Sequence, residues 1–123
     1  MKKKPSSILI VDDDSRNIFA LNLVLKSKGF RCLSANDGAM ALKIISEKAE
    51  INMVLLDMMM PEMDGYECIA AIRQLPGKRD LPVIAVTAQA MPGDRDKCLA
   101  AGASDYVSKP VNVDVLIGIL KKY

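Results

Sequence analysis

Ile8-Leu9-Ile10-Val11-Asp12-Asp13-Asp14 decides how this chain is read: four uninterrupted apolar residues run straight into three acids. Such a run fits a strand covered on both faces, as in the interior of a parallel sheet. The pattern recurs. Met53-Val54-Leu55-Leu56 enters Asp57, Val83-Ile84-Ala85-Val86 enters Thr87, and Ser104-Asp105-Tyr106-Val107-Ser108 enters Lys109-Pro110. Carboxyl ends of parallel strands share one edge of their sheet, and ligands bind at that edge. Residues far apart in sequence are therefore expected to meet in one pocket.

Working outward, strand and helix signals alternate five times, which predicts an α/β domain built on a parallel sheet. The runs at 8–11, 53–56 and 83–86 suit central strands. The mixed segments 30–34 and 104–108 suit edges. Three central and two edge strands fit the order 2-1-3-4-5, which is borrowed from known doubly wound sheets and not dictated by this sequence. Ile18, Leu21 and Leu25 have helical spacing, with Gly29 as the stop. Asp37-Gly38 opens a second helix with Ala41, Leu42 and Ile45 inward. Asp64, with Glu67 three residues on, has the form of a capping box, and Pro76-Gly77 closes that helix. Pro92 suits the first turn of a fourth helix ended by Ala101-Gly102. Asn112 caps a fifth, with Val113, Leu116, Ile117 and Leu120 inward.

The chain has 123 residues, half of them apolar, which suits one globular domain with a single core. Residues 1–5, with Lys2-Lys3-Lys4, read as a flexible solvated tail, and 6–123 as the domain. A net charge of +2, with three Tyr, two Phe and no Trp, leaves no basic-aromatic stripe, so nucleic-acid binding is not expected. Cys32, Cys68 and Cys98 form no metal-ligand spacing and read as idle thiols in a reducing, cytoplasmic setting. No signal core or membrane-length apolar run occurs, so no membrane contact by this chain is expected. The absence of histidine excludes a Ser-His-Asp triad, a histidine metal cage and a phosphohistidine within the chain.

Asp12, Asp13 and Asp57 would stand at the ends of adjacent strands. Like charges about 5 Å apart repel by roughly 3 kcal/mol at an effective dielectric near 20, and a cation offsets that. Hard oxygen ligands without Cys or His select Mg²⁺ or Mn²⁺ over zinc. Lys109 adds a fixed positive charge and Thr87 a hydroxyl, the complement that a phosphoryl group in transfer requires. The nucleophile would be a carboxylate forming an acyl phosphate, with Asp57 the best candidate because it follows the most central run. Singly, each has a plainer reading: a solvated turn, a strand-end hydroxyl, a surface lysine. Their joint placement is what points to chemistry.

With these residues in view, the chain resembles the receiver domain of two-component response regulators over roughly residues 6 to 121. The marks are Val11-Asp12-Asp13, Asp57 followed by Met60-Pro61 and Met63-Asp64-Gly65, Thr87-Ala88, and Lys109-Pro110. Each motif is weak alone; the set in this order and spacing is specific. The resemblance implies a flavodoxin-like (βα)5 three-layer sandwich. It makes Asp57 the phosphorylated residue, Asp13 and Asp57 direct Mg²⁺ ligands, Asp12 a ligand through water, and the Met59 backbone carbonyl a further ligand. Thr87 and Lys109 would contact the phosphoryl oxygens, with the Lys109-Pro110 bond cis. Thr87 and Tyr106 would form a switch that alters the face made by the fourth helix, fifth strand and fifth helix. Ala88 would leave the donor path open.

The resemblance also implies a phosphoryl donor, either a sensor histidine kinase or a histidine phosphotransfer protein, docking on the first helix and the Lys109-Pro110 loop. The state expected is a monomer or a phosphorylation-dependent dimer. Both a stand-alone regulator and a receiver segment of a hybrid histidine kinase fit; residues 14–21 and 87–90 favour the hybrid type. No output domain is evident, which disfavours direct transcription control by this chain alone. No turnover of a separate substrate is expected. Met59, two residues after Asp57, cannot orient water by hydrogen bonding, whereas Gln89 has the groups to do so. Asp14 reads as the first-helix cap before any metal role. The rival of another class is a Mg²⁺-dependent phosphatase with an aspartyl-phosphate intermediate, but the second acid such enzymes carry beside the nucleophile is missing from Asp57-Met58-Met59. A nucleotide- or flavin-binding domain is weaker still, since neither a G-x-G-x-x-G turn nor a Walker lysine loop occurs.

Overall fold

A computed structural model describes residues 7–60, 63–88 and 93–123. In chain order the elements are β1 (Ser7–Val11), α1 (Ser15–Ser27), β2 (Arg31–Ala35), α2 (Gly38–Glu47), β3 (Ile51–Asp57), α3 (Gly65–Gln74), β4 (Val83–Thr87), α4 (Asp94–Ala101), β5 (Asp105–Ser108) and α5 (Val113–Leu120). The five strands form one sheet, all pairings parallel, in the order β2-β1-β3-β4-β5. The fold class and strand order expected from sequence are both present. The expectations resting on Lys2-Lys3-Lys4, Pro61, Gln89 and Pro92 fall outside the described residues.

Strand alternation divides the interior into two layers. Leu9, Val11, Val54, Leu56, Val83 and Ala85 pack with Ala41, Ile45, Cys68, Ile69, Ile72 and Cys98 of α2, α3 and α4. Ile8, Ile10, Met53, Leu55, Ile84, Val86 and Val107 pack with Leu25 of α1 and Leu116, Ile119 and Leu120 of α5. Successive strand residues point to opposite faces, and both faces are covered, which is why the central runs read as unbroken apolar segments.

The boundaries differ slightly from the sequence reading, and the differences have local causes. Phe30 stays out of β2 because its N–H donates to Leu25 O at 3.0 Å, tying it to the end of α1. β3 begins earlier than position 53, at Ile51, passing through exposed Asn52 where the pairing with β1 shifts register. On α5 the buried residues are Leu116, Ile119 and Leu120, with Val113 and Ile117 only half-buried.

The helix starts follow their capping residues. Asp14, Asp37, Asp64 and Asn112 each accept a backbone N–H from the first turn, with partners Arg16, Met40, Glu67 and Val115. Gly93 and Gly102 bracket α4 with φ of 92° and 115°, the left-handed region that favours glycine. All three cysteines are free. Cys68 and Cys98 are buried and Cys32 is half-buried. Burial pushes the Cys68 thiol up to about 11, which keeps it in the unreactive protonated form. No helix among the described residues is long and apolar enough to cross a membrane.

Candidate functional site

The sheet register builds the site. Val11 pairs with Leu56, Asp57 with Val86, and Thr87 with Ser108. The ends of β1, β3, β4 and β5 are therefore level, and Asp12, Asp57, Thr87 and Lys109 emerge along one edge. Pleat parity then sorts them. Asp12 continues the alternation of Ile8 and Ile10, Asp57 that of Leu55, and Lys109 that of Val107, all on the α1–α5 side. Thr87 continues the alternation of Ala85, and Tyr106, which pairs with Ala85, packs against the α2–α4 side. The charged groups and the expected switch pair thus lie on opposite faces of the same edge.

Asp12, Asp57 and Thr87 are buried, at 3%, 4% and 5% exposure, whereas Asp13 is exposed. Carboxylate oxygens of Asp12, Asp13 and Asp57 all lie within 4.8 Å of one another. Lys109 Nζ stands 3.6 Å from Asp12 Oδ2 and 3.6 Å from Asp57 Oδ2. The Lys109 N–H donates to Thr87 O at 2.7 Å, and the Lys109-Pro110 bond is cis as expected. Asp57 Oδ1 accepts the Met59 N–H at 3.0 Å.

The two acids of β1's end are not equivalent. Asp12 Oδ1 accepts the Asp14 N–H at 2.9 Å, and Oδ2 accepts Asn17 Nδ2 at 3.4 Å beside Lys109. Both Asp12 oxygens are occupied by protein donors, which suits a carboxylate acting on a cation through water. Asp13 is the acid open to solvent. Asp14 is engaged as the α1 cap, receiving the Arg16 N–H at 2.9 Å. Sequence reasoning assigned no role to Asn17; its signal was a carboxamide in the first turn after the acid run.

Burial raises the Asp57 carboxyl above the ordinary carboxylate value. The Met59 N–H lowers it, Asp12 raises it, and the Lys109 ammonium lowers it again. A carboxyl raised on folding binds its proton more tightly in the folded chain. Its contribution to stability is present at low pH and is lost as pH rises through the folded value. In metal-free buffer, Asp57→Asn is therefore expected to be more stable than wild type at neutral pH, with the two converging on acidification. Urea midpoints at a series of pH values measure this, and a constant gap across the series would contradict it.

A groove of about 480 Å³ opens beside the acids. Ile10, Leu55 and Val86 form its floor, Ala20, Leu21 and Val24 one wall, and Pro110, Val111 and Val113 the other, with Asp12, Asn17, Asp57 and Lys109 at one end. Leu21 lines this groove and is correspondingly only half-buried. Phe19 and Leu23 of α1 are 71% and 62% exposed nearby in sequence.

The oxygen-only donor set, with one exposed acid and no thiol or imidazole, fits a hard divalent cation.

The model of the response regulator receiver domain matches residues 8–121. Over 94% of its length the chain is 45% identical to sensor histidine kinase RcsC of Salmonella typhimurium. Over 98% it is 35% identical to signal transduction histidine-protein kinase BarA of Shigella flexneri. The chain spans 12% and 13% of those two proteins. Among solved structures, the receiver domain of a Pseudomonas aeruginosa PAO1 sensor histidine kinase aligns with a TM-score of 0.87 and 35% identity, covering 96% of each chain; a magnesium ion is coordinated in its active site cleft. A response regulator receiver protein from Pseudomonas putida aligns at 0.90 and 25% identity, covering 99% of this chain and 100% of that one.

Proposed function

The chain belongs to the response regulator receiver family, and from that premise we propose that it is a phosphorylation-controlled signalling module with Asp57 as the phosphoacceptor. The observation that carries the proposal is the meeting of Asp12, Asp13, Asp57 and Lys109 at one sheet edge, with Lys109 equidistant from two buried carboxylates. The identity to RcsC and BarA and the magnesium of the Pseudomonas aeruginosa receiver support it.

Asp13 and Asp57, with the Met59 carbonyl, would hold Mg²⁺ or Mn²⁺, and Asp12 would act through water. The cation would supply charge neutralisation for the phosphoryl oxygens. A carboxylate oxygen of Asp57 attacks the phosphorus of a phosphohistidine. The P–N bond breaks, an acyl P–O bond forms, and the imidazole leaves with its electron pair and takes a proton from water. Because the chain has no histidine, the donor is a sensor histidine kinase or a phosphotransfer protein or domain outside it. Exposed Phe19 and Leu23 on α1, and the groove walled by Pro110 and Val111, support docking of an apolar partner helix there. Lys109 and the Thr87 hydroxyl would receive the phosphoryl oxygens. Thr87 and Tyr106 then act as the switch on the opposite face, altering the α4-β5-α5 surface. The added charge biases a two-state equilibrium. We place the module in the cytoplasm and propose no turnover of a separate substrate. Position 59 offers an exposed methionine where the rival phosphatase reading needs an acid.

Beryllofluoride with Mg²⁺ tests the function. Amide NMR shifts at the Asp13, Asp57 and Lys109 cluster, spreading to Thr87 and Tyr106, are expected for wild type and absent for Asp57→Asn. Equal responses in both would defeat the assignment. The exposed Met59 thioether cannot orient an attacking water, so a moderate to long acyl-phosphate lifetime is expected. Met59→Asn should change the autodephosphorylation rate, and an unchanged rate would remove Met59 as a determinant of lifetime.

A further inference from the structure

Resting on the phosphoacceptor reading of Asp57, we propose that Asn17 is a positioning residue that lets Asp12 release Lys109 to the phosphoryl group. Lys109 Nζ is poised between Asp12 Oδ2 and Asp57 Oδ2, 3.6 Å from each. A phosphoryl group on Asp57 brings nearly two further negative charges and draws the ammonium toward it. Asp12 is 3% exposed, and a buried carboxylate that loses its cation depends on the remaining hydrogen-bond donors. Its Oδ1 is held by the Asp14 N–H at 2.9 Å. Its Oδ2 has the Asn17 carboxamide at 3.4 Å, reaching in from the first turn of α1. Asn17 is half-buried and lines the groove together with Asp12, Asp57 and Lys109. With Asn17 in place, Asp12 remains solvated by protein when Lys109 leaves. Without it, Asp12 retains Lys109 and competes with the phosphoryl oxygens for the same ammonium.

The test is a beryllofluoride titration in saturating Mg²⁺, paired with a Mg²⁺ titration alone, each followed by amide NMR. Asn17→Ala is expected to bind beryllofluoride about tenfold more weakly, the scale of one lost hydrogen bond to a charged group. Its Mg²⁺ affinity should fall by clearly less than its beryllofluoride affinity, because Asn17 reaches only Asp12, which would act on the cation through water, and neither of the proposed direct ligands Asp13 and Asp57. Asn17→Asp, which keeps the shape but replaces the donor by an acceptor, should lose at least as much and guards against a packing artefact. In an Asp12→Asn background, removing Asn17 should add no further loss, since its action runs through the Asp12 carboxylate. Equal beryllofluoride affinity in wild type and Asn17→Ala would overturn the proposal alone, as would the same loss in both Asp12 backgrounds. A wild type that takes up no beryllofluoride would overturn the phosphoacceptor reading and this inference with it.

Discussion

Lys109→Ala is expected to weaken beryllofluoride binding by about a hundredfold, the scale of removing one preorganised charged donor from a developing oxyanion. The site concentrates three carboxylates within 4.8 Å, and Lys109 supplies the counter-charge that reaches two of them. A phosphoryl group adds to that negative charge, so an ammonium at this point is worth more to the phosphorylated state than to the free one. The free state is affected too. Lys109 is 26% exposed on its side chain, against 5% for Asp12 and 4% for Asp57. Removing it leaves two buried acids without their cation, expected to cost about 3 kcal/mol in metal-free buffer, the lower end for a buried pair because the lysine is itself partly exposed. Added Mg²⁺ should recover part of that loss. Beryllofluoride affinity and urea unfolding with and without Mg²⁺ measure both effects. A variant that binds beryllofluoride as tightly as wild type would show that the lysine is a bystander.

Arg73→Ala should produce a large loss of stability for a polar side chain away from the site, about 2–3 kcal/mol by urea unfolding. From α3 its guanidinium donates to Gly102 O through Nε at 3.2 Å and Nη2 at 2.7 Å, and through Nη1 to Leu81 O at 2.7 Å and Lys78 O at 3.2 Å. Gly102 ends α4, and Lys78 and Leu81 flank the turn that leads into β4. One side chain thus ties three segments together through three backbone carbonyls, those of Lys78, Leu81 and Gly102. Burial lowers the Arg73 value from that of a free guanidine, while Asp80 raises it, and the group stays a cation at neutral pH. Arg73→Lys should recover only part of the loss, because a single ammonium cannot reproduce the planar fork. A loss below about 0.5 kcal/mol for the alanine variant would contradict the clasp.

The parts of the fold that sequence made legible are those where one physical rule acts alone. β1, β3 and β4 are covered on both faces, so Ile8–Val11, Met53–Leu56 and Val83–Val86 show no polar break. Aspartates 14, 37 and 64 sit where a free first-turn N–H needs an acceptor, and each receives one. The strand order came by analogy, because pairing depends on contacts between distant segments. The level register of β1, β3, β4 and β5 was likewise invisible, although it is what brings Asp12, Asp57 and Lys109 together. The sequence reading also assigned no role to groups whose partners lie across the fold. The Arg73 clasp spans 29 residues to Gly102, and the Asn17 contact to Asp12 depends on how α1 leaves its cap. The open groove depends on how α1 sits beside the Lys109-Pro110 loop and the start of α5, so the half-burial of Leu21 was not foreseen from its helical spacing.

The central claim is that Asp57, among all the acids of this chain, forms an acyl phosphate when a divalent cation is present. Intact mass after incubation with acetyl phosphate and Mg²⁺ tests it most directly. Wild type should gain the mass of one phosphoryl group, lose it slowly on standing, and gain nothing in the presence of a chelator, while Asp57→Asn should gain nothing under any of these conditions. An Asp57→Asn protein that acquires the same mass in the same time would contradict the account.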